Sequence, residues 1–296
     1  MKLSFLLSAP VALALAAALT LGGCGDPGPS PLPGPSAPES VAPDATTGPE
    51  VLRFIDAWGE WHEAEVRADL PRHDYDWSLL TNENGDVTYA DPRYTLRKGV
   101  DVSVFQGDID WEKVKAGGYD FAFVRIAFRG YGSAGNLKAD ANYAKNLRGA
   151  REAGLDVGAY VFSQAINEQE AIEEAEFALE LLDGFELTLP VVFDPELIRD
   201  DEARTDNVTG EQFTRNALAF CQKIEEAGYD SMIYSNMIWE AFYFDLKALA
   251  DYPIWYADYE PIPQTPYPFT FWQCSCTGKV DGIQGDADID VWFQEK

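Results

Sequence analysis

Two histidines and four cysteines leave this 296-residue chain little material for a metal centre or a disulfide scaffold. A structural zinc site takes about four nitrogen or sulfur ligands, and His62 and His73 lie far in sequence from Cys221, Cys274 and Cys276. No metal and no other cofactor is expected. Cys274 and Cys276 are two apart on an expected strand, so their side chains share a face. A bridge from Cys221 to one of them and ordinary buried thiols both fit the spacing. Positive charge is scarce as well: 22 Lys and Arg stand against 50 Asp and Glu, a net charge of −28. Nucleic acid is excluded as a partner, because phosphate binding needs a basic surface. No basic face would steer the chain onto anionic polymers either.

What is present starts with one apolar run, Leu3 to Leu21, behind the single basic residue Lys2 and ahead of Leu21-Gly22-Gly23-Cys24. Its length is borderline for a membrane span. The small residues before the cysteine favour processing instead. The arrangement resembles a bacterial lipoprotein signal, with residues 1–23 as signal peptide and a diacylglyceryl group on Cys24. That resemblance implies an extracytoplasmic protein, held on the cell membrane by lipid and facing the cell wall. Residues 24–50 then read as the lipidated cysteine and a proline-rich linker, with prolines at 27, 29, 31, 33, 35, 38, 43 and 49. Such chain is stiff and extended at about 3.1 Å per residue, a stand-off of up to ~75 Å.

Residues 51–97 read as an accessory N-terminal helix and hairpin. Val51 to Leu70 has Leu52, Ile55, Trp58 and Trp61 at helical spacing, and Val87-Thr88-Tyr89 reads as a short strand after a turn. From Lys98 the pattern becomes periodic. Apolar, β-branched runs occur at Val100–Phe105, Phe121–Phe128, Val157–Phe162, Val191–Phe193, Met232–Tyr234, Ile254–Tyr259, Phe269–Gln273 and Ile289–Phe293. Helical stretches lie between most of them, at Asn136–Ala153, Glu168–Leu182, Glu211–Ala227 and Met237–Ala250. Repeated strand and helix predict an α/β fold with a largely parallel sheet. Eight strands predict closure into a TIM-like (β/α) barrel over residues 98–296, irregular because its late connections are short, where chemistry gathers at the C-terminal strand ends.

One strand runs straight into two acids: Pro190-Val191-Val192-Phe193-Asp194-Pro195-Glu196. In extended chain the backbones of Asp194 and Glu196 are about 6–7 Å apart, with both carboxyls on one side. Neighbouring carboxyls cannot ionise independently, so one holds its proton to higher pH. A protonated acid beside an ionised one is what glycosidic cleavage requires. An acidic strand end facing solvent is the plainer alternative. Pro195 cannot donate a ladder bond, which ends regular pairing and predicts an exposed rim. Asp101 lies on the first barrel strand, and Asp286, Asp288 and Asp290 alternate near the last. If the sheet closes, these acids meet. Tyr160, Tyr234, Trp255, Tyr256 and Trp272 also fall on strands, facing either a groove, where rings stack on sugars, or the core.

These residues carry a family resemblance. Gly99-Val100-Asp101-Val102-Ser103, Gln106-Gly107, Ile109-Asp110-Trp111, Phe123-Val124-Arg125-Ile126 and Ala153 through Tyr160 resemble the first half of glycoside hydrolase family 25. Asp194-Pro195-Glu196, Ile254-Trp255-Tyr256-Ala257, Trp272-Gln273 and Gly282-Ile283 leading to Asp288 follow in the same order. Val161 and Pro195 depart from the family's usual residues; neither replaces a carboxylate. The resemblance implies a flattened form of the barrel and a lysozyme, cutting β-1,4 bonds between N-acetylmuramic acid and N-acetylglucosamine in peptidoglycan glycan strands. It implies Glu196 as general acid, Asp194 supporting the substrate's acetamido group or the attacking species, and Asp101 and Asp288 lining the groove. It further implies sugar contacts from Tyr160, Tyr234, Trp255, Trp272, Gln273 and Arg125. A monomer is expected. A silent wall-binding lipoprotein and a chitinase-like glycosidase are the alternatives.

Overall fold

The computed structural model describes residues 48–83, 85–199 and 201–296. The expected signal peptide, Cys24 and nearly all of the linker lie outside the described residues. Among the described residues no helix is long and apolar enough to cross a membrane.

Residues 51–65 form a hairpin of β1 (Val51–Ile55) and β2 (Trp61–Glu65), which replaces the expected amphipathic helix. The i, i+3 spacing of the apolar residues misled. Asp56 accepts hydrogen bonds from the backbone amides of Trp58 and Glu60, both at 2.9 Å, and Gly59 takes φ +83°, so the chain reverses there. In the strands the burial alternates, with Phe54 fully buried. A second hairpin, β3 (Leu80–Glu83) and β4 (Asp86–Tyr89), supplies the short strand expected at 87–89. Tyr75, Trp77 and Tyr89 of this extension pack edge and face against Phe269 and Phe293 and so join the main hydrophobic core. The extension continues without a break into β5 (Tyr94–Val102), so the expected boundary at 97/98 falls inside a strand. Residues 48–296 make one compact unit.

The chain then runs through α1 (Trp111–Ala116), β6 (Phe121–Arg129), β7 (Leu137–Ala139), α2 (Tyr143–Glu152), β8 (Asp156–Ser163) and α3 (Glu168–Leu182). It ends with β9 (Val191–Pro195), α4 (Gly210–Glu226), β10 (Ser231–Asn236), α5 (Met237–Phe242), β11 (Ile254–Ala257), β12 (Phe271–Gly278) and β13 (Ala287–Glu295). Eight strands close into a barrel in the order β5-β13-β12-β11-β10-β9-β8-β6, with β5 pairing β6 to shut the ring and β7 added outside β6. A TIM barrel is matched only in part. β13 is antiparallel to both neighbours, and β11, β12 and β13 follow one another without helices. Helix lengths differ from expectation in two places: β7 takes the start of the 136–153 stretch, and α5 stops at Phe242.

Strand alternation sorts the side chains into two layers. Val100, Val124, Phe193, Ile233, Tyr256, Trp272 and Ile289 face outward into the helices' core. Phe121, Phe123, Val192, Met232, Trp255 and Phe271 fill the lumen. Gly99 is required there, since a Cβ on it would lie 2.2 Å from the Phe121 ring. The cysteines are free: Cys221 and Cys274 are buried and Cys276 is exposed. A register shift between Gln273 and Ser275 interrupts the alternation, and Cys274 and Cys276 end in different surroundings.

Candidate active site

The apolar filling stops part-way along the lumen, and acids take over. Asp101, on β5, and Asp194, on β9, sit near the C-terminal ends of their strands. β13 runs the other way, which brings its first residues to the same mouth: Asp288 pairs in register with Asp101. Above them opens a cleft of about 490 Å³, lined by Asp101, Asp194, Glu196 and Asp288 together with Arg125, Tyr160, Tyr234, Trp255 and Gln273. Closure of the barrel thus brings together the four expected acids and five of the six expected contact residues.

Trp272 is the exception. It is 0% exposed in the outer layer, where its indole N–H donates to the Asp258 carbonyl at 2.7 Å. As the neighbour of Gln273 on one strand it must point the opposite way, so it supports the strand rather than touching a ligand. Trp255 does face inward but is nearly sealed, stacked on Phe123 at 4.8 Å, with its indole N–H on Asp290 at 2.8 Å. It forms the floor.

The expected exposed rim holds for one of the two central acids. Glu196 is open to solvent along the cleft, whereas Asp194 is only 3% exposed. Pro195 still pairs with Ser163 and the strand ends on it. Glu196 is then fixed through its backbone: Gln164 Nε2 donates to the Glu196 carbonyl at 2.6 Å and Thr205 Oγ1 holds Gln164 Oε1 at 2.9 Å. Asp101 accepts from Gln273 Nε2 at 2.7 Å, and Gln273 Oε1 accepts from Tyr259 at 2.9 Å and Tyr234 at 3.3 Å. Arg125 is pinned by Asp140, which takes Nε at 3.0 Å and Nη2 at 2.9 Å. Its guanidinium lies over the rings of Phe105 and Phe128, 5.0 and 5.3 Å from their centroids.

Crowding acids in a poorly hydrated place makes ionisation costly. The cleft walls, and then the charge of Asp288, push Glu196 up to about 7, against the pull of Arg125. Burial likewise lifts Asp288 to about 6. Asp194 is raised well above the usual carboxylate range by burial and by the charge of Glu196, with Arg125 opposing. Asp101 is raised by burial and by Asp288 and Asp290. These groups titrate as a set. Water reaches Glu196 along the cleft, so solvent offsets part of both causes acting on it. Asp194 Oδ1 is buried with no hydrogen-bond partner among the described residues, an acceptor left for a ligand. The cluster can therefore present a proton and negative charge side by side near neutral pH.

Two residues of the site were not singled out by the sequence reading, and a third was named only as one acid of an alternating set. Phe105, 80% exposed on a single 3-10 turn (Val104–Gln106), and Tyr259, on the loop after β11, line the cleft just past the points where β5 and β11 end. Asp290 was visible as one of the alternating acids; it lies fully buried beneath Asp101, raised chiefly by burial. Among the described residues the one group with metal-ligand geometry is Asp56, Glu60 and His62, whose ligand atoms lie within 4.8 Å of one another. Arg199 sits against two of them, 2.8 Å from Glu60 and 3.5 Å from Asp56, so a cationic side chain already faces those carboxylates.

Comparison with known proteins agrees with this geometry. The chain is 27% identical over 200 residues to the autolytic lysozyme of Clostridium acetobutylicum, a match covering 67% of this chain and 56% of the relative. It is 28% identical over 203 residues to lysozyme M1 of Streptomyces globisporus, covering 64% and 66% of the two chains. The aligned part thus spans little more than half of the first relative's length. A solved family 25 glycosyl hydrolase from Bacillus anthracis superposes with a TM-score of 0.57 at 25% identity, over 70% of this chain and 93% of that one. The model of the glycosyl hydrolases family 25 matches residues 100–283, which include Asp101, Asp194 and Glu196, and the chain belongs to that family.

Proposed function

We propose that the protein is a muramidase: it hydrolyses the β-1,4 bond between N-acetylmuramic acid and N-acetylglucosamine in peptidoglycan. Glu196 is its general acid, and a lipid on Cys24 holds it at the outer face of the cell membrane. The observation that carries the reading is a carboxyl pushed up to about 7, open to the cleft and flanked by further acids, in a chain of a glycosidase family. Two curated relatives being lysozymes supports the substrate. The Leu21-Gly22-Gly23-Cys24 pattern supports the anchor.

In this reading Glu196 gives its proton to the bridging oxygen as the bond from that oxygen to the anomeric carbon breaks. Positive charge grows on the sugar ring, and the Asp288 carboxylate, lifted only to about 6, stabilises it. Asp194 Oδ1, otherwise unpartnered, receives the N–H of the acetamido group and holds that group against the reacting carbon. Water supplies the hydroxyl of the new reducing end, and its remaining proton restores Glu196. Gln273 keeps Asp101 fixed, and Arg125 limits how far the acids' pKa values climb.

The test is digestion of purified peptidoglycan by the detergent-solubilised full chain, wild type beside Glu196→Gln, with the reduced products identified by mass spectrometry. New muramic acid ends from the wild type alone are expected. New glucosamine ends, or equal activity in the variant, would refute the assignment. For the anchor, Cys24→Ala should move the protein from the membrane fraction to the soluble one; continued membrane retention would contradict lipidation.

A further inference from the structure

The β1–β2 hairpin lies outside the residues that match the family, yet its tip forms part of the cleft. Ile55 through Gly59 line the same cavity as Asp194 and Glu196. Asp56 and Trp58 also line an adjoining cavity of about 640 Å³, reached past Leu197 and Ile238, which border both spaces. Both volumes fall within the range of small-ligand pockets, about 300–1,000 Å³.

The tip is held rigidly from three sides. Asp56 ties it internally, through the amides of Trp58 and Glu60 and through His62 Nε2 at 2.9 Å. Gln264 clips Ile55 through both its backbone N–H and C=O, each at 2.9 Å, and so joins the hairpin to the loop after β11. Arg199, three residues beyond Glu196, reaches across to Glu60 at 2.8 Å and lays its guanidinium 4.5 Å from the Trp58 ring. Beneath, Phe54 is buried against His62 and Phe242. Despite this bracing Trp58 remains 52% exposed. A large ring held still at the lip of a saccharide cleft offers apolar area at little further entropic cost. Asp56 and Glu60 offset the charge of Arg199, which suits an uncharged ring better than an anion.

We propose that the hairpin tip, with Trp58 as a stacking platform, is an additional saccharide subsite that extends the cleft beyond Glu196 and lengthens the glycan segment the protein grips. This rests on the muramidase reading above. Its occupant is a sugar ring of the glycan strand, not the peptide branch.

The experiment compares full-length wild type, Trp58→Ala and Trp58→Phe on glycan oligomers of increasing length, peptide-free and peptide-bearing, reading KM and kcat separately, with thermal melts to confirm folding. For Trp58→Ala the rise in KM should grow with oligomer length, reaching about tenfold on the longest. Trp58→Phe should recover most of it, and kcat should change far less than KM. The same comparison is repeated as equilibrium binding with Glu196→Gln in every chain, which reads the subsite even if wild type cuts nothing. Length-dependent loss of binding would support the subsite on its own. A loss of equal size at every length, or none, would overturn it. A loss confined to peptide-bearing strands would give the platform to the peptide and overturn the saccharide assignment.

Discussion

The two ends of the barrel lumen are built from the same eight strands and differ in almost everything else. At one end Phe121, Phe123, Met232 and Phe271 close the space with hydrocarbon. At the other, Asp101, Asp194, Asp288 and Asp290 point into it, several of them raised in pKa by the burial that the first end exploits. Trp255 stands at the boundary, its ring on Phe123 and its indole N–H on Asp290. The difference teaches where stability and chemistry reside. The apolar end supplies free energy of burial, and part of it offsets the cost of holding unwilling acids together at the mouth.

Each end can be broken separately. The largest effect on activity is expected from Glu196→Gln, a loss of about 10²–10⁴-fold in kcat with substrate affinity retained; single-turnover kinetics beside equilibrium binding would check it. At the apolar end Phe123→Ala should cost about 3–5 kcal/mol of stability, seen in urea unfolding, because the rigid ring of strands cannot collapse onto the gap. Any activity that variant loses should track its unfolded fraction.

Asp290→Asn should act in the opposite sense. The folded-state pKa of Asp290 is raised, so the native state binds the extra proton and wild-type stability falls as pH climbs above the ordinary carboxylate value. Asparagine keeps an acceptor for Trp255 without that penalty. The variant's gain over wild type should therefore grow from acid towards neutral pH in melting curves. A variant less stable than wild type at every pH would show that the acid is not a burden. The smallest effect is Tyr259→Phe, which removes one donor to Gln273 and should raise KM a few-fold, about 1 kcal/mol.

The barrel was legible because strands buried on both faces read as plain apolar runs, and each of the eight expected runs overlaps one barrel strand, though the ends of several run past it. The Asp194–Glu196 pair was legible because a strand end delivers its last residues to one place. The hairpin was not, because β1 and β2 are short and half exposed, and their apolar residues fall by chance at helical spacing. Trp272 was a misreading the sequence could have prevented, since Trp272 and Gln273 are consecutive and cannot face the same side of one strand. Phe105 sits in a one-turn 3-10 helix and Tyr259 and Trp58 on a loop and a turn, whose facing is set by tertiary packing alone. The sequence could show that they were aromatic but not where they pointed.

The most direct test is the pH dependence of kcat/KM on soluble peptidoglycan fragments, wild type beside Asp288→Asn. A general acid must be protonated, so wild-type activity should fall as pH rises through about 7, the value to which Glu196 is pushed. Removing the Asp288 charge removes the second cause of that rise, and the descending limb should move to lower pH in the variant. A limb that stays in place, or moves to higher pH, would contradict a proton held on Glu196 by the acids around it.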